Sequence, residues 1–218
     1  MHRVPAFDVT DPTTIARLIR ELALAQVVTH GAGGLTASSV PLVLDEPPTG
    51  PWRLRGHLAR ANPQARSDGA GRPCLALFLG PQAYVSPSAY ATKAETGKVV
   101  PTWNYVEVHV HGTFRLVDDA STTRRVVTDL TDLHEAGRPV PWHVTDAPDG
   151  YVEGLVRGIV AFEIEVGRVE AKAKLSQNKS EADRRGVIAD LADRPGGAAV
   201  ADLMASGEFD RPESGTGG

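Results

Sequence analysis

The segment GKVVPTWNYVEVHVHG, residues 97 to 112, constrains the fold more than any other stretch of this sequence. In its second half three valines alternate with Glu107, His109 and His111, so that the apolar and polar side chains point to opposite faces of an extended chain. Pro101 lacks a backbone donor and restricts the chain ahead of this alternation. The segment therefore predicts a half-buried β-strand that begins after Pro101 and has a polar outer face.

The two histidines of this strand suggest two interpretations. Two residues apart on one face, their Cα atoms lie about 7 Å from each other, a spacing that suits two ligands of one metal ion. Only Glu107 is near enough in sequence to supply a third ligand. We therefore prefer to interpret His109 and His111 as polar lining of a pocket or subunit interface, with a metal site as the alternative.

Trp103, Asn104 and Tyr105 form a second candidate group directly after the proline. Aromatic rings beside an amide can stack on and hydrogen-bond a planar ligand such as an isoalloxazine, and they can equally fill a core. The sequence leaves both interpretations open.

Two cationic tracts are candidate anion sites. The first lies on WRLRGHLARANP, where Arg53, Arg55, His57 and Arg60 approach a predicted turn, and such cations can hold a phosphate or carboxylate. The second comprises Lys172, Lys174, Gln177, Asn178 and Lys179. For both tracts the alternative is a solvated basic face.

The remaining patterns predict mixed secondary structure. A helix begins at Asp11-Pro12 and extends to about Ala25, and further helices cover 118 to 137 and 150 to 158. Ser180 and Asp183 approximate a capping box for a C-terminal helix. The tract GAGG at 31 to 34 lies between strand-like segments, so it predicts a hairpin turn rather than a phosphate loop.

Several alternating segments predict strands. They include residues 52 to 59, CLALFLG and AYVSPS separated at Gly80-Pro81, and residues 160 to 166, with a second strand or hairpin continuing over VEAKAKLSQNKS. About seven strands with helices at the start, middle and end indicate an α+β fold, a mostly antiparallel β-barrel with peripheral helices.

Size and composition narrow the class of protein. The 218 residues suffice for one large domain, predicted over 1–206 with a disordered tail over 207–218. Cys74 is the single cysteine, so we expect a buried small side chain and a reducing cytoplasm. The N-terminal segment resembles neither a signal peptide nor a membrane span. A formal charge of −4 provides no general attraction to nucleic acid, so DNA binding would need a local basic patch.

The chain lacks Gly-x-Ser-x-Gly, Walker and His-Glu-x-x-His motifs, so these patterns name no reaction. Three longer segments carry a family resemblance instead: GHLARANPQ (56–64), YVSPSAYATKAETGKVVPTWNYVEVHVHG (84–112) and KLSQNKSEADRRGVIADL (174–191). They resemble the PaiB family, usually described as FMN-binding negative transcriptional regulators, and the likeness runs nearly from end to end.

The resemblance implies a split β-barrel of the flavin-reductase and pyridoxamine-oxidase type, commonly a homodimer with cofactor sites at the subunit interface. It implies FMN as the cofactor. The residues that it places around the cofactor are Arg55, His57, Arg60, Asn62, Lys98, Thr102, Trp103, Asn104, Tyr105, His109, His111, Lys174, Gln177 and Asn178.

The same family includes heme-dependent piperazate synthases, which form an N–N bond from N5-hydroxyornithine. Under this hypothesis heme b replaces FMN. His57 is the first candidate for the axial ligand of its iron, and His109 or His111 is the second candidate. A flavin-dependent oxidoreductase is a third reading, with the ring against Trp103 or Tyr105 and the phosphate on Arg55, Arg60 or Lys98. The resemblance identifies no general base and does not decide between regulator and enzyme.

Overall fold

The structure is a computed structural model that describes residues 1–31, 33–66 and 71–210. The disorder predicted for the C-terminal tail concerns mainly residues 211–218, which lie outside the described residues.

Eight strands and six helices make up the described chain. The strands are β1 (Asp8–Val9), β2 (Leu24–Gly31), β3 (Gly34–Pro41), β4 (Val43–Asp45), β5 (Arg53–Ala59), β6 (Arg72–Val85), β7 (Thr102–Val117) and β8 (Ile159–Lys174). The helices are α1 (Pro12–Leu22), α2 (Thr92–Thr96), α3 (Ala120–Glu135), α4 (Tyr151–Val156), α5 (Glu181–Ala192) and α6 (Ala198–Ser206). None of these helices is long and apolar enough to cross a membrane.

The strands form one sheet in the order β3-β2-β6-β7-β8-β5-β4, and β1 pairs with β8. The pairs β2–β3, β2–β6, β4–β5, β5–β8 and β1–β8 are antiparallel. The predicted α+β class and mostly antiparallel sheet are therefore confirmed, as is the hairpin of β2 and β3.

The described residues divide into two compact units. Unit 1 comprises residues 1–15, 79–108 and 170 onward, and unit 2 comprises 16–78 and 109–169. The single domain over 1–206 stays a prediction.

In unit 2, helix α3 covers one face of strand β5 and its neighbours. Val126 and Leu130 pack against Ala161, and the Thr123 hydroxyl accepts a hydrogen bond from the Ala161 backbone N–H at 3.2 Å. On the other face, a Cβ on Gly56 would lie 2.8 Å from the Phe162 ring, so only glycine allows that ring to pack there. The alternation predicted for this strand is thereby confirmed, since Leu54, Gly56 and Leu58 are buried.

The helix starts follow the predicted capping chemistry. Asp11 Oδ2 accepts from the Thr14 N–H at 2.8 Å at the start of α1, and Ser180 Oγ accepts from the Asp183 N–H at 3.2 Å at the start of α5. Cys74 is buried, and burial raises the pKa of its thiol to about 11, which confirms its prediction as an inert core residue.

Three boundaries differ from the sequence predictions. Helix α1 ends at Leu22 because Ala23 adopts a left-handed conformation with φ of 47°. Strand β6 continues through Gly80-Pro81. Only the alternation of buried and exposed residues is interrupted there. Strand β8 is a single strand without a hairpin, because it pairs with β5 over residues 159–165 and with β1 over 171–172. The sequence pattern of β8 therefore differs between the segment that pairs with β5 and the segment that pairs with β1.

Candidate functional site

One lysine side chain at the end of strand β8 reaches the start of β7 in unit 1. Lys174 Nζ donates hydrogen bonds to Thr102 Oγ1 at 2.6 Å and to the Trp103 carbonyl at 2.5 Å. Both acceptors are neutral, so the positive charge of Lys174 is oriented but not neutralised.

A strained turn follows directly and fixes this end of the strand. Ser176 has a φ of 62°, a conformation that costs a non-glycine residue on the order of 1 kcal/mol or more. The Gln177 side chain stabilises the turn by accepting from the Leu175 N–H at 2.8 Å and donating to the Ala173 carbonyl at 2.6 Å. Gln177 was predicted to contact the cofactor, but its side-chain amide forms hydrogen bonds within the turn.

The side chain of Asn104 hydrogen-bonds to the same turn. Its side chain is fully buried and donates to Ser176 Oγ at 3.0 Å and to the Met204 sulfur at 3.3 Å. Asn104 is therefore a supporting residue in this structure, while its neighbours Thr102 and Trp103 face accessible space.

A cavity of about 190 Å³ opens beside this turn, and we call it the lysine pocket. Three of the predicted cofactor residues, Thr102, Lys174 and Asn178, line it together. The complete lining is Phe7, Tyr90, Val100, Pro101, Thr102, Lys174, Ser176, Asn178 and Lys179. Sequence patterns that gave only a basic tract thus converge on a defined concave site.

The electrostatics of the lysine pocket favour an anion. Lys172, Lys174 and Lys179 form no salt bridge with any residue that the structure describes. Burial lowers the pKa of Lys174, and the charges of Lys172 and Lys179 lower it further. Lys172 is only 5% exposed, and a buried ammonium without an acidic partner is unfavourable until an anion approaches.

Tyr90 contributes an unused hydrogen-bond donor to the lysine pocket. The residue is 3% exposed, and its buried hydroxyl has no hydrogen-bond partner within the part of the chain that the structure describes. Burial raises the pKa of this hydroxyl, and the charge of Asp183 adds to the effect. Lys179 Nζ lies 5.2 Å from the centre of the Tyr90 ring. An oxygen acceptor in the pocket would satisfy both the phenol and the lysines.

An aromatic surface lies beside the lysine tract on the outward face of β7. Trp103 is 52% exposed and packs edge-to-face against Tyr84 at 6.1 Å between ring centres. Tyr105 shares this face, and Lys172 Nζ lies 5.8 Å from the centre of its ring. Clefts of about 480 and 280 Å³ both border Trp103. We call Tyr84, Trp103 and Tyr105 the aromatic face.

The predicted cations of unit 2 have different surroundings. Arg55 donates to Asp45 at 2.5 and 2.8 Å and to Asp129 at 2.7 Å, and its hydrogen bond with Asp45 raises the pKa of the guanidinium. Arg60 donates to Asp118 at 2.6 Å and to the Arg157 carbonyl at 3.1 Å. Both guanidinium groups are already paired with carboxylates.

The other predicted residues are also dispersed. Asn62 donates to Ser38 Oγ at 2.9 Å and accepts from the Gln64 N–H at 2.8 Å, a local turn function. Lys98 is exposed in the loop that precedes β7. His109 and His111 are half-buried on the part of β7 that belongs to unit 2. Their proposed contacts with a cofactor stay predictions.

His57 has one notable property. Burial lowers the pKa of its imidazole, and Nδ1 is buried without a hydrogen-bond partner. A neutral ring with a free nitrogen is the form that binds a metal. Arg55, two residues earlier on the same face of β5, bonds to Asp129 of α3, so His57 lies on the α3-covered face.

Sequence reasoning missed Tyr90, Phe7 and the Ser176 turn. Tyr90 follows the turn SPSA, and nothing in the pattern there indicates that a phenol reaches a lysine pocket from a distant segment. Ser176 lies in the quoted segment KLSQN, but a left-handed serine has no sequence signal.

The mostly antiparallel sheet with peripheral helices has the fold of the split-barrel class of α+β proteins. The chain belongs to the family described as "Putative FMN-binding domain", whose model matches residues 1–168. The predicted family and FMN, the cofactor of that family, are therefore confirmed.

Known relatives and solved structures agree with this family. The Bacillus subtilis protein named protease synthase and sporulation protein PAI 2 is 33% identical over 202 residues, covering 91% of this chain and 93% of that protein. An uncharacterized Aspergillus fumigatus protein is 36% identical over 195 residues, covering 71% and 75%. The FAD and heme binding protein of Mycobacterium smegmatis shares the fold, with a TM-score of 0.55, 16% identity, and coverage of 77% and 73%. A conserved hypothetical protein of Mycobacterium tuberculosis, Rv2991, has a TM-score of 0.57 at 11% identity, covering 83% of this chain and 95% of that chain.

Proposed function

We propose that this protein holds FMN in unit 1, with the phosphate in the lysine pocket and the isoalloxazine ring on the aromatic face. The observation that carries the proposal is the cluster of Lys172, Lys174 and Lys179, which form no ion pair with any described residue, beside exposed Trp103. A dianionic phosphate and a planar ring are the two groups that such a surface accommodates.

Each residue of the pocket has a role in this proposal. Lys174 and Lys179 provide charge-assisted hydrogen bonds to phosphate oxygens, and the Tyr90 hydroxyl donates a neutral one. The phosphate restores the charged form of Lys174 that burial disfavours, so the pKa of Lys174 rises on binding. Bound FMN would supply hydride or single-electron chemistry, while the aromatic face orients the ring.

Loading and spectroscopy test this proposal. The purified protein is incubated separately with FMN and with hemin, desalted, and its absorption spectrum recorded. We expect retained flavin bands, and we expect Lys179→Gln to lose more flavin than the matched exposed variant Lys93→Gln, since Lys93 does not line the pocket. Loss of all flavin from the wild type on desalting, in a correctly folded sample, would refute the proposal.

Pairing of two copies through the aromatic face is part of the proposal. Leu79, Tyr84 and Trp103 are 55%, 40% and 52% exposed, which is unusual for large apolar side chains on the central strands of a sheet. Light scattering of the wild type and of Leu79→Asp tests it. We expect a dimer that the aspartate dissociates, and a monomeric wild type would contradict the pairing.

A regulatory role is the biological use that the resemblance to the PaiB family implies. The net charge of −4 limits DNA binding to a local patch. A mobility-shift titration against the gene's own upstream DNA, with and without FMN, tests the role. A flavin-dependent oxidoreductase would instead consume NADH or NADPH in the presence of FMN, without a DNA complex.

The heme-dependent N–N cyclase is a second candidate because of His57. Burial lowers the pKa of its imidazole, and Nδ1 has no hydrogen-bond partner among the described residues, so His57 would hold the iron of heme b. The heme would supply Lewis-acid chemistry for formation of the N–N bond of piperazate. We expect His57→Ala to abolish a sharpened Soret band if this assignment is correct, and unchanged heme loading would remove it.

A further inference from the structure

A cavity of about 630 Å³ in unit 2 has no part in the proposed cofactor site. It lies where the first turn of α3 meets α4 and the residue that follows β5. Its lining is Arg60, Ala120, Ser121, Arg124, Glu153, Val156 and Arg157. Three guanidinium groups around one space, with a single carboxylate among the lining residues, need an explanation.

The three arginines differ in how their charges are used. Arg60 bonds to Asp118, and Arg124 forms an ion pair with Glu153 across the space between α3 and α4. Arg157 forms no ion pair with any described residue, and its printed hydrogen bonds involve only its backbone, whose carbonyl accepts from Arg60 and whose N–H donates to the Leu155 carbonyl. One guanidinium of the lining therefore remains available to a ligand, whereas neighbouring acids hold the other two in place.

The rest of the lining is apolar apart from Ser121, whose hydroxyl donates to Asp119 at 2.6 Å. Val156 is buried in the cluster that α4 forms with Val144 and Val152, and Ala120 adds a methyl group from α3. The stems of the arginines present further methylenes to such a space. A ligand that fits both parts has a short hydrocarbon body and one anionic head.

We propose that this cavity is a binding site for a small amphipathic carboxylate, with the carboxylate on Arg157 and the hydrocarbon body against Val156. The site is separate from FMN and takes a different chemical class of ligand, so it does not depend on the proposed cofactor function.

Isothermal titration with hexanoate, compared with the neutral isostere 1-hexanol, tests the proposal on the full chain. We expect hexanoate to bind more tightly than hexanol, since only the carboxylate can engage a guanidinium. Arg157→Gln should weaken hexanoate binding roughly fivefold and leave hexanol unchanged. Arg53→Gln, an exposed arginine of β5 outside the cavity, is the matched control and should change neither.

A second variant predicts a change of opposite sign. Glu153→Gln removes the only carboxylate of the lining and frees Arg124, so hexanoate should bind roughly threefold to fivefold more tightly. Circular dichroism establishes that each variant is folded before titration. Equal affinity for hexanoate and hexanol, or no response to both Arg157→Gln and Glu153→Gln, would overturn the proposal.

Competition with FMN separates this inference from the proposed function. Hexanoate affinity should be the same with and without saturating FMN. Displacement of hexanoate by FMN would show that the two ligands share one site, with Arg60 as a cofactor contact, and would overturn the proposal. FMN retention without hexanoate binding would refute this inference alone, and hexanoate binding without FMN retention would refute the proposed function alone.

Discussion

Arg55 in unit 2 and Lys174 in unit 1 are both half-buried strand cations, yet their surroundings are opposite. Arg55 donates to the carboxylates of Asp45 and Asp129, so its charge is compensated inside the protein. Lys174 donates to a hydroxyl and a carbonyl, and its charged neighbours are two more lysines. The first arrangement stabilises the fold, and the second is the one that we propose to bind the phosphate of FMN.

The difference shows what decides whether a predicted cation is a ligand contact. The alternation of each strand locates the side chain on a face, but acids from other segments determine whether its charge remains available. Asp129 reaches Arg55 from helix α3, 74 residues away in sequence, whereas no acid in the described residues forms an ion pair with Lys174.

The largest effect expected from breaking this contrast is on stability. Arg55→Ala leaves Asp45 and Asp129 without their shared partner, so we expect the free energy of unfolding to fall by about 3 kcal/mol. FMN affinity should remain unchanged. Urea unfolding measures the change in stability, with Arg53→Ala as the exposed control. A marked loss of FMN affinity in folded Arg55→Ala would contradict the assignment of Arg55 as a structural residue.

Lys174→Met should show the converse pattern. Removal of a partly buried charge that binds phosphate should weaken FMN binding by roughly 20-fold, about 2 kcal/mol, with little loss of stability. Fluorescence titration and urea unfolding of the same sample compare the two quantities. A destabilised variant with normal FMN affinity would make Lys174 a structural residue.

Tyr90→Phe sharpens the comparison with a smaller change. It removes a neutral donor that has no partner among the described residues, so FMN affinity should fall about fivefold while stability stays equal or increases. Tyr151→Phe, an exposed tyrosine of α4, is the control. A clear loss of stability on removal of the Tyr90 hydroxyl would show that the protein itself uses it.

His57 gives the smallest effect, a dependence of stability on pH. Burial lowers its pKa in the folded state, so the unfolded chain binds more protons just below the ordinary value near 6.5. Stability should therefore be full above about pH 6.5 and fall as pH decreases toward the folded-state pKa. His57→Gln should flatten this part of the profile, measured by thermal unfolding from pH 7.5 to 5.

The sequence predicted the fold well because its signals are local. The alternation of β5 and β7, the cap of α5 at Ser180 and the stop at Pro101 each depend on neighbouring residues. The continuity of β8 was not predictable, because it depends on β1 and β5 pairing with different parts of one strand.

The site was only partly predictable for the same reason. Thr102, Lys174 and Asn178 came from two quoted motifs and do meet in the lysine pocket. Tyr90 and the conformation of Ser176 depend on tertiary packing. The paired state of Arg55 depends on an acid from another helix, which spacing along β5 cannot reveal.

The most direct test of the central claim compares FMN with riboflavin, which lacks the phosphate, on the wild type and on Lys174→Met. If the lysine pocket holds the phosphate, the wild type prefers FMN by roughly tenfold or more, and the preference collapses in the variant because only FMN affinity falls. Equal affinities in the wild type, or an undiminished preference in Lys174→Met, would contradict the account.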